Sequence, residues 1–519
     1  MRLIELCFLT KDIPNSEKHS VVTPIPKTGN QINDTKNIRP IAVGPIFARI
    51  INKMIARRLA DRFTSHDILD PAQHAFLPGK SIHEPNNSVL HCLEDYRSRT
   101  KTNQATGCYL IYYDISKAYD CIRWDSIERA LERLGMDPNL VDFVMNTLEG
   151  STLAIKTNIP GRTTSRVTMH GAIKQGCPLA PLLFAIVMDE LHKGYRTIGG
   201  YQALGGAPIV ASRGYCDDTV ILSNSMAELS KMNAWTIKFM ATHGLNINVT
   251  KTKVTGRDKS GLANAFPVLW SGSTTPLTSL PPTDSIKYLG CMISFDLNWA
   301  DQINKMTGYV MNIATKLRHG NITLLQGSML AKQVLDGMMD IGLRHAIISK
   351  NSLLEWDKVL SSSILHRAAL AGKKIHSSAV YTIIRKCSLV SLNIIAKTAQ
   401  LMENITGPHE LKLAYGKAIN LANKNSTLTS NDKRSDNRLT HIIKLLRINN
   451  ISITQNPAHC LDEAVVTKKL SDLDTFFYPL TKWSTHVNFI VNRLRKHRRI
   501  LNFLLHGHCS NSLARYERT

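Results

Sequence analysis

Apolar and polar positions along residues 107–255 switch between a strand pattern and a helical one. "GCYLIYYDISKAYD" (107–120) begins as an apolar, aromatic and β-branched run and then gives way to the helix-compatible "WDSIERALERLGM". "GCPLAPLLFAIVMDELHKGY" (176–195) predicts a buried helix, its prolines confined to the first turns. "GYCDDTVILS" (214–223) contains another apolar strand pattern, followed by a helix and the segment "LNINVTKTKV". This order predicts an α+β fold in which an antiparallel sheet is backed by helices.

The flanking segments follow other patterns. The first 60 residues are rich in proline and predict extended segments that lead into an amphipathic helix, "PIFARIINKMIARRLADRF". "IKYLGCMI" (286–293) predicts a further short strand, and from about residue 296 the pattern is almost wholly helical. The polar stretch 423–438 favours a linker.

Length and charge narrow the class of protein. A chain of 519 residues is long enough for two or more domains. Its 64 Lys and Arg against 40 Asp and Glu give a net charge of +24, which attracts polyanions; nucleic acid is the leading partner and an anionic membrane surface the weaker one. The ten cysteines form no CxxC pair, which argues against a zinc ribbon and favours reduced thiols inside the cell. No apolar run approaches a membrane span, so we expect a cytosolic or nuclear protein without a membrane partner.

Three carboxylates carry the candidate chemistry. Asp217 and Asp218 directly precede an apolar strand, and Asp114 directly follows another predicted strand. An Asp-Asp pair alone is typical of a solvated turn. If the two strands are neighbours, however, the carboxylates converge and their repulsion requires compensation, which divalent cations supply. Two Mg²⁺ ions at such a site activate a 3′-hydroxyl and stabilise departing pyrophosphate in phosphoryl transfer.

Successive motifs of the chain resemble the conserved blocks of reverse transcriptases. "PIPKTGN", "QHAFLPGKS", "YYDISKAYD", "IKQGCPLAPLLF", "GYCDDTVILS", "GLNINVTKTK" and "YLGCMIS" occur in the family's order. The set is most similar to the non-LTR retrotransposon branch, specifically the type-1 retrotransposable elements that insert at ribosomal DNA and carry a restriction-like endonuclease. The resemblance implies a right-hand polymerase: fingers and palm over 1–295, a helical thumb over 296–422, and a polar linker with a basic helical extension over 423–519.

The resemblance also implies a metal site. Asp114 and Asp217 would bridge both metals, Asp218 would complete the site, and the backbone carbonyl of Ile115 would reach a metal. The expected cofactor is a pair of Mg²⁺ ions, with Mn²⁺ as an alternative.

The resemblance of the same motifs also implies contacts with the incoming nucleotide. Tyr119 falls where the family places an aromatic gate beneath the sugar, which favours deoxynucleotides; a core tyrosine is the alternative. The small Ala118 leaves the sugar room. Gln175 and Gly176 match the block that contacts incoming nucleotide and template backbone.

Basic residues of three motifs complete the implied site. Arg39 would hold the triphosphate through paired hydrogen bonds, with Lys27 as an assisting charge, although basic loop residues are often only solvated. Lys251 occupies the position that protonates the leaving pyrophosphate in the family, and Lys253 is close enough to compete for that role. Gln73 matches a block that touches the template.

The C-terminal region adds a basic cluster. We expect the segment 491–505 to bind phosphates, a solvated or nuclear-import-like face being equally compatible. Its basic residues are Arg493, Arg495, Lys496, Arg498 and Arg499.

Several features depart from the family's pattern. The turn that carries the two adjacent aspartates, residues 215–218, is called the metal turn. Cys216 replaces the alanine that is usual in this turn and is small enough to fit. His506, His508 and Cys509 lack the partners of a four-ligand zinc site. Because related proteins also carry N-terminal zinc fingers and a C-terminal nuclease, we expect an element truncated at both ends.

The expected function is RNA-directed DNA polymerase of a non-LTR retrotransposon, with target-primed synthesis in the nucleus. Its partners would be template RNA, primer DNA and deoxynucleoside triphosphates. Two alternatives remain open: a non-catalytic RNA-binding scaffold that keeps the polymerase fold, and an intron maturase-like polymerase.

Overall fold

The structure is a computed structural model that resolves into two compact units, Met1–Asp284 and Ser285–Thr519. Apart from isolated positions, it describes residues 2–27, 38–102, 106–203, 208–260, 268–270, 273–277, 279–320 and 324–367. The predicted boundary after residue 295 therefore lies inside the second unit. The predicted segment 423–519 lies outside the described residues.

Helices and strands alternate through the first unit. Its helices are α1 (Arg2–Leu9), α2 (Ile46–Ser65), α3 (His83–Lys101), α4 (Ala118–Cys121), α5 (Trp124–Arg133), α6 (Pro138–Leu148), α7 (Ala180–Ile198) and α8 (Met226–His243). Its strands are β1 (His19–Pro26), β2 (Ile38–Val43), β3 (Cys108–Tyr113), β4 (Ile115–Ser116), β5 (Thr152–Ile155), β6 (Val167–Thr168), β7 (Ser212–Tyr215), β8 (Asp218–Ser223), β9 (Asn246–Ile247), β10 (Lys253–Arg257), β11 (Val268–Trp270) and β12 (Ser273–Leu277).

The central sheet has the strand order β10-β3-β8-β7, and every neighbouring pair is antiparallel. All six residues of β3 are buried, as are five of the six in β8, because helices cover the sheet. α7 and α8 share one core with alternate residues of β3 and β8, and α3 also packs against β3 and β7. The predicted α+β class and the antiparallel sheet backed by helices are thus confirmed.

A second sheet has the order β2-β1-β5-β6. β1 pairs with β2 antiparallel, with Ile25 opposite Arg39, and with β5 in parallel. The sequence predicted only extended segments here, because the β1–β5 pairing joins residues far apart in the chain. This sheet supplies Arg39, on β2, and ends beside Lys27.

The second unit begins with a hairpin and continues as helices. The hairpin strands are β13 (Ser285–Tyr288) and β14 (Cys291–Ser294), and the described helices are α9 (Ala300–His319), α10 (Leu324–Met329), a π-helical segment (Leu330–Leu335), α11 (Asp336–His345) and α12 (Lys350–Arg367). The single strand predicted over 286–293 is therefore two strands. The chain reverses at Leu289 and Gly290, whose φ angles are 44° and 82°. None of the described helices has both the length and the apolar character needed to cross a membrane.

Candidate active site

Asp114 and Asp217 lie at the same end of two adjacent strands. Asp114 follows the last residue of β3, and Tyr113 pairs with Thr219 of β8. Cys216 and Asp217 form the two-residue turn between β7 and β8, since Tyr215 pairs with Asp218. The strand pairing therefore brings together acidic residues that are about 100 positions apart in the sequence, as the sequence predicted.

The loop between β9 and β10 holds the backbone of Asp114 on both sides. The Asp114 amide donates to Thr252 Oγ1 at 3.3 Å. Its carbonyl accepts from the Asn248 amide at 2.7 Å. Asn248 Oδ1 in turn accepts from the Thr250 hydroxyl at 2.8 Å, which stiffens the loop. The position of the carboxylate thus depends on a loop more than 130 residues further along the chain.

The electrostatics of Asp217 set it apart from an ordinary turn residue. Burial raises the pKa of its carboxyl, and the negative charge of Asp114 raises it further. Its own backbone amide, a hydrogen bond with the Cys216 side chain and the charge of Arg39 lower the pKa, without cancelling the rise. A divalent cation fits between Asp217 and Asp114, since it would neutralise both carboxylates and their oxygens are the ligands that such ions prefer.

Asp218 and Ile115 differ from Asp114 and Asp217 in their exposure to solvent. Asp218 is exposed at the first position of β8, and Ile115 is buried where β4 pairs with β9. Across the described residues, no three His, Cys, Asp or Glu side chains are grouped closely enough to hold a metal ion. The Asp114–Asp217 pair is therefore the donor set that the geometry offers, and metal contacts by Asp218 and the Ile115 carbonyl stay predictions.

Tyr119 lies in the short helix α4, directly after the buried Ala118. Its ring stacks on Phe184 of α7 with centroids 5.3 Å apart and an interplanar angle of 16°. Its hydroxyl lies 3.4 Å from Cys216 Sγ in the metal turn. Burial raises the pKa of Tyr119 well above its usual value. The ring is thus held beside Asp217, and its role as a sugar gate stays a prediction from the family resemblance.

The segment at Gln175 and Gly176 packs against β2. The Gln175 carbonyl accepts from the Ala42 amide at 2.7 Å, and Gln175 Nε2 donates to Asp120 Oδ1 at 3.2 Å. Gly176 has φ of 119°, and a Cβ there would lie 2.5 Å from the Ala42 carbonyl oxygen. Only glycine permits this approach, so the segment links β2 to α4.

Two cations, Lys251 and Arg39, act on the carboxylate pair. Lys251 Nζ is 3.9 Å from Asp114 Oδ2, and its side chain is 68% exposed. Lys253 Nζ instead donates to the Thr250 carbonyl at 3.3 Å. Of the two lysines, Lys251 is therefore the one beside the carboxylates. Arg39 is exposed and its charge acts on Asp217, whereas Lys27 is exposed just beyond β1.

Gln73 is placed in the core instead of at a template-facing surface. Its side chain has 0% exposure, and Oε1 accepts from the Ala75 amide at 3.0 Å. A side chain without accessible surface has none to offer a nucleic acid, which corrects the sequence expectation for this conformation. Phe76 of the same loop is 44% exposed, and its ring centroid is 6.1 Å from that of Tyr215.

The basic cluster predicted near the C-terminus lies outside the described residues, and so does the histidine and cysteine group at 506–509. The cluster comprises Arg493, Arg495, Lys496, Arg498 and Arg499.

Sequence reasoning missed the residues that position the site. Thr252 and Asn248 flank the predicted Lys251, but hydroxyl and amide side chains are common in loops and give no signal of their own. Phe184 belongs to an apolar helical run that predicts only core. The contact of Cys216 with Tyr119 joins residues 97 positions apart, and no local pattern encodes it.

Comparison with known proteins gives one family and several relatives. The family profile described as "Reverse transcriptase (RNA-dependent DNA polymerase)" matches residues 25–293. The chain is 29% identical over 251 residues to the Pol polyprotein of the type-1 retrotransposable element R2 of Popillia japonica, covering 48% of this chain and 34% of that protein. It is 28% identical over 295 residues to the polyprotein of the type-2 element R2DM of Drosophila melanogaster, covering 56% and 26%. The chain thus spans about a third or less of the length of these relatives.

Among solved structures, telomerase from Candida tropicalis in complex with a fragment of telomeric RNA is similar. The TM-score is 0.41 at 11% identity, covering 79% of this chain and 66% of that one. So low a TM-score does not by itself establish a shared fold.

Proposed function

The chain belongs to the reverse transcriptase (RNA-dependent DNA polymerase) family, and from this premise we propose that it extends the 3′-hydroxyl of a DNA primer by copying RNA for a non-LTR retrotransposon of the R2 type. The observation that carries the proposal is the Asp114–Asp217 pair, which β3 and the β7–β8 turn bring together. A half-buried carboxylate beside a second one is costly without a counter-charge, and polymerase chemistry gives the pair a use.

Reverse transcriptases copy RNA and generally use divalent metal ions. For this chain we propose two Mg²⁺ ions, with Mn²⁺ as a substitute, held by Asp114 and Asp217 and completed by Asp218 and the Ile115 carbonyl. When bound, such ions activate the attacking hydroxyl and stabilise the charge on the departing pyrophosphate.

The remaining residues bind and orient the substrates. Arg39 offers a guanidinium to the triphosphate of an incoming deoxynucleotide, and Lys27 adds charge. Lys251 has an exposed ammonium beside Asp114 from which it would donate a proton to the leaving pyrophosphate. Tyr119 and Ala118 would line the position of the nucleotide's sugar. The Gln175–Gly176 segment would contact the incoming nucleotide and the template backbone. The net charge of +24 supports a nucleic-acid partner, and we place its action in the nucleus, at chromosomal DNA.

Primer extension on an RNA template tests this proposal. We expect Asp217→Asn and Asp114→Asn each to reduce kcat at least about 100-fold, because the charge stabilisation that a metal ion supplies is worth several kcal/mol. The matched control is Asp142→Asn, which makes the same change at a half-exposed carboxylate of α6 that pairs with Lys11. The control should keep wild-type activity. Equal incorporation by the wild type and Asp217→Asn would refute the proposed site.

A further inference from the structure

The ring of Tyr119 is fixed from two directions. Phe184 of α7 stacks against its face, with centroids 5.3 Å apart. At the far end of the ring, the hydroxyl oxygen lies 3.4 Å from Cys216 Sγ, within hydrogen-bonding distance for sulfur. A phenol ring held only by stacking could slide or tilt, whereas a second contact at the hydroxyl fixes where its edge lies.

The contact at the hydroxyl is a hydrogen bond between a phenol and a thiol, and either group can donate the proton. Whichever group donates, the bond joins the hydroxyl end of the Tyr119 ring to the sulfur of Cys216.

The turn fixes the direction of the Cys216 side chain. Cys216 is the first residue of the two-residue turn and has φ of 61°, a conformation that few residues other than glycine adopt. The side chain is buried, with 8% exposure, so its sulfur has little freedom. The turn that carries Asp217 thereby also reaches the helix that carries Tyr119.

We propose that Cys216 is a positioning residue for sugar selection: its sulfur holds the Tyr119 hydroxyl so that the ring stays where the 2′-hydroxyl of a ribonucleotide would lie. The inference rests on the proposed polymerase function and deepens it. The substrate class it separates is deoxynucleoside from ribonucleoside triphosphates. Sugar selection then depends on the metal turn as well as on Tyr119.

The test is the ratio of kcat/KM for a ribonucleotide to that for the matching deoxynucleotide, measured by single-nucleotide extension. Cys216→Ala keeps the Cβ and the strained turn but removes the sulfur that contacts the Tyr119 hydroxyl. We expect it to raise the relative use of ribonucleotide about two- to tenfold, the range that the net contribution of one hydrogen bond allows. Cys216→Ser keeps a hydrogen-bonding group at this position and should show a smaller change than alanine.

A double-mutant cycle gives the control. Tyr119→Phe keeps the ring and its stacking on Phe184 but loses the hydroxyl, so it should change the ratio by a similar factor. The Cys216→Ala/Tyr119→Phe double variant should change it no more than the larger single change, because both remove the same contact.

The outcomes separate this inference from the function on which it rests. If the wild type extends primers but Cys216→Ala leaves the ratio unchanged, or the two single effects multiply in the double variant, the positioning role is overturned. If the wild type incorporates neither nucleotide, the polymerase function itself fails and this inference falls with it. Thermal denaturation of each variant shows whether a lost signal comes from a lost fold instead.

Discussion

Asp217 illustrates how a functional residue opposes stability. Burial and the neighbouring Asp114 both raise the pKa of its carboxyl, so the ionised form costs folding free energy when no cation is present. A residue kept only for the fold would not be acidic here. The sequence could predict this position because Asp114 ends a second apolar strand and the motifs around both aspartates resemble those of reverse transcriptases; the Asp-Asp pair alone is typical of a solvated turn. It could not predict the contact of Cys216 with Tyr119, which exists only once the chain is folded.

Asp217→Asn should therefore stabilise the metal-free protein. The pKa of the Asp217 carboxyl is higher in the folded protein than in the unfolded chain, so ionised Asp217 destabilises the fold. This destabilisation is fully present at pH values above the folded-state pKa and disappears as the pH falls below the unfolded-state pKa. We expect the variant to melt about 2–4 °C higher at pH 7, equivalent to about 1 kcal/mol for a unit of this size, and the gain to shrink toward pH 4. Thermal denaturation without divalent cations at both pH values measures it.

Asp218→Asn is the matched control for that experiment, since Asp218 is exposed and should change the melting temperature less. Adding Mg²⁺ should raise the melting temperature of the wild type and narrow its gap to Asp217→Asn, because an ion that binds only the folded state stabilises it. A variant that melts lower than the wild type at pH 7 would contradict the assigned electrostatics.

At the scale of elements, the strongly patterned ones could be predicted and the others could not. β3, the β7–β8 hairpin, α7 and α8 have long apolar runs or helical periodicity. α3 is hard to predict because polar residues interrupt its apolar pattern: Asn86, Asn87 and Ser88 are all at 0% exposure, next to the buried Val89 and Leu93. The parallel pairing of β1 with β5 was missed because sequence patterns specify elements and not their distant partners.

Because the Gln175–Gly176 segment approaches β2 closely, we expect Gly176→Ala to lower the free energy of unfolding strongly. The new Cβ would meet the Ala42 carbonyl oxygen at 2.5 Å, and φ of 119° is unfavourable for alanine. Strain and displacement together should cost about 2–4 kcal/mol. Because the displacement would disturb Arg39 on the same strand, the KM for deoxynucleotide should rise as well. Denaturant unfolding and steady-state kinetics measure the two effects.

Gly161→Ala separates strain from displacement. Gly161 also has positive φ, 75°, but a Cβ there would meet nothing within 4 Å. Its substitution should cost only about 1–2 kcal/mol, the penalty of a left-handed alanine, and leave the KM unchanged. Equal losses of stability in the two variants would show that the contact with β2 does not constrain Gly176.

On the scale of the whole molecule, the net charge of +24 means that binding to template and primer should weaken steeply with salt. The segment 491–505 is the densest basic cluster that the sequence predicted as nucleic-acid-binding. Replacing its five basic residues by glutamine should lower the slope of log K against log salt by about 0.9 per lost phosphate contact, up to about 4.5 in all. The affinity of the full chain for a primer-template duplex at several salt concentrations measures the slope.

The control removes the same number of charges from α2. Its exposed basic residues are Arg49, Lys53, Arg57, Arg58 and Arg62. If the C-terminal residues contact phosphates directly, their loss must lower the slope more than the α2 replacement does, because only released counterions enter the slope. Equal slopes would mean that the overall field of the protein attracts the nucleic acid and that the C-terminal cluster has no special part in binding it. Since the two variants carry the same net charge, a difference between their slopes reports the position of the charges and not their number.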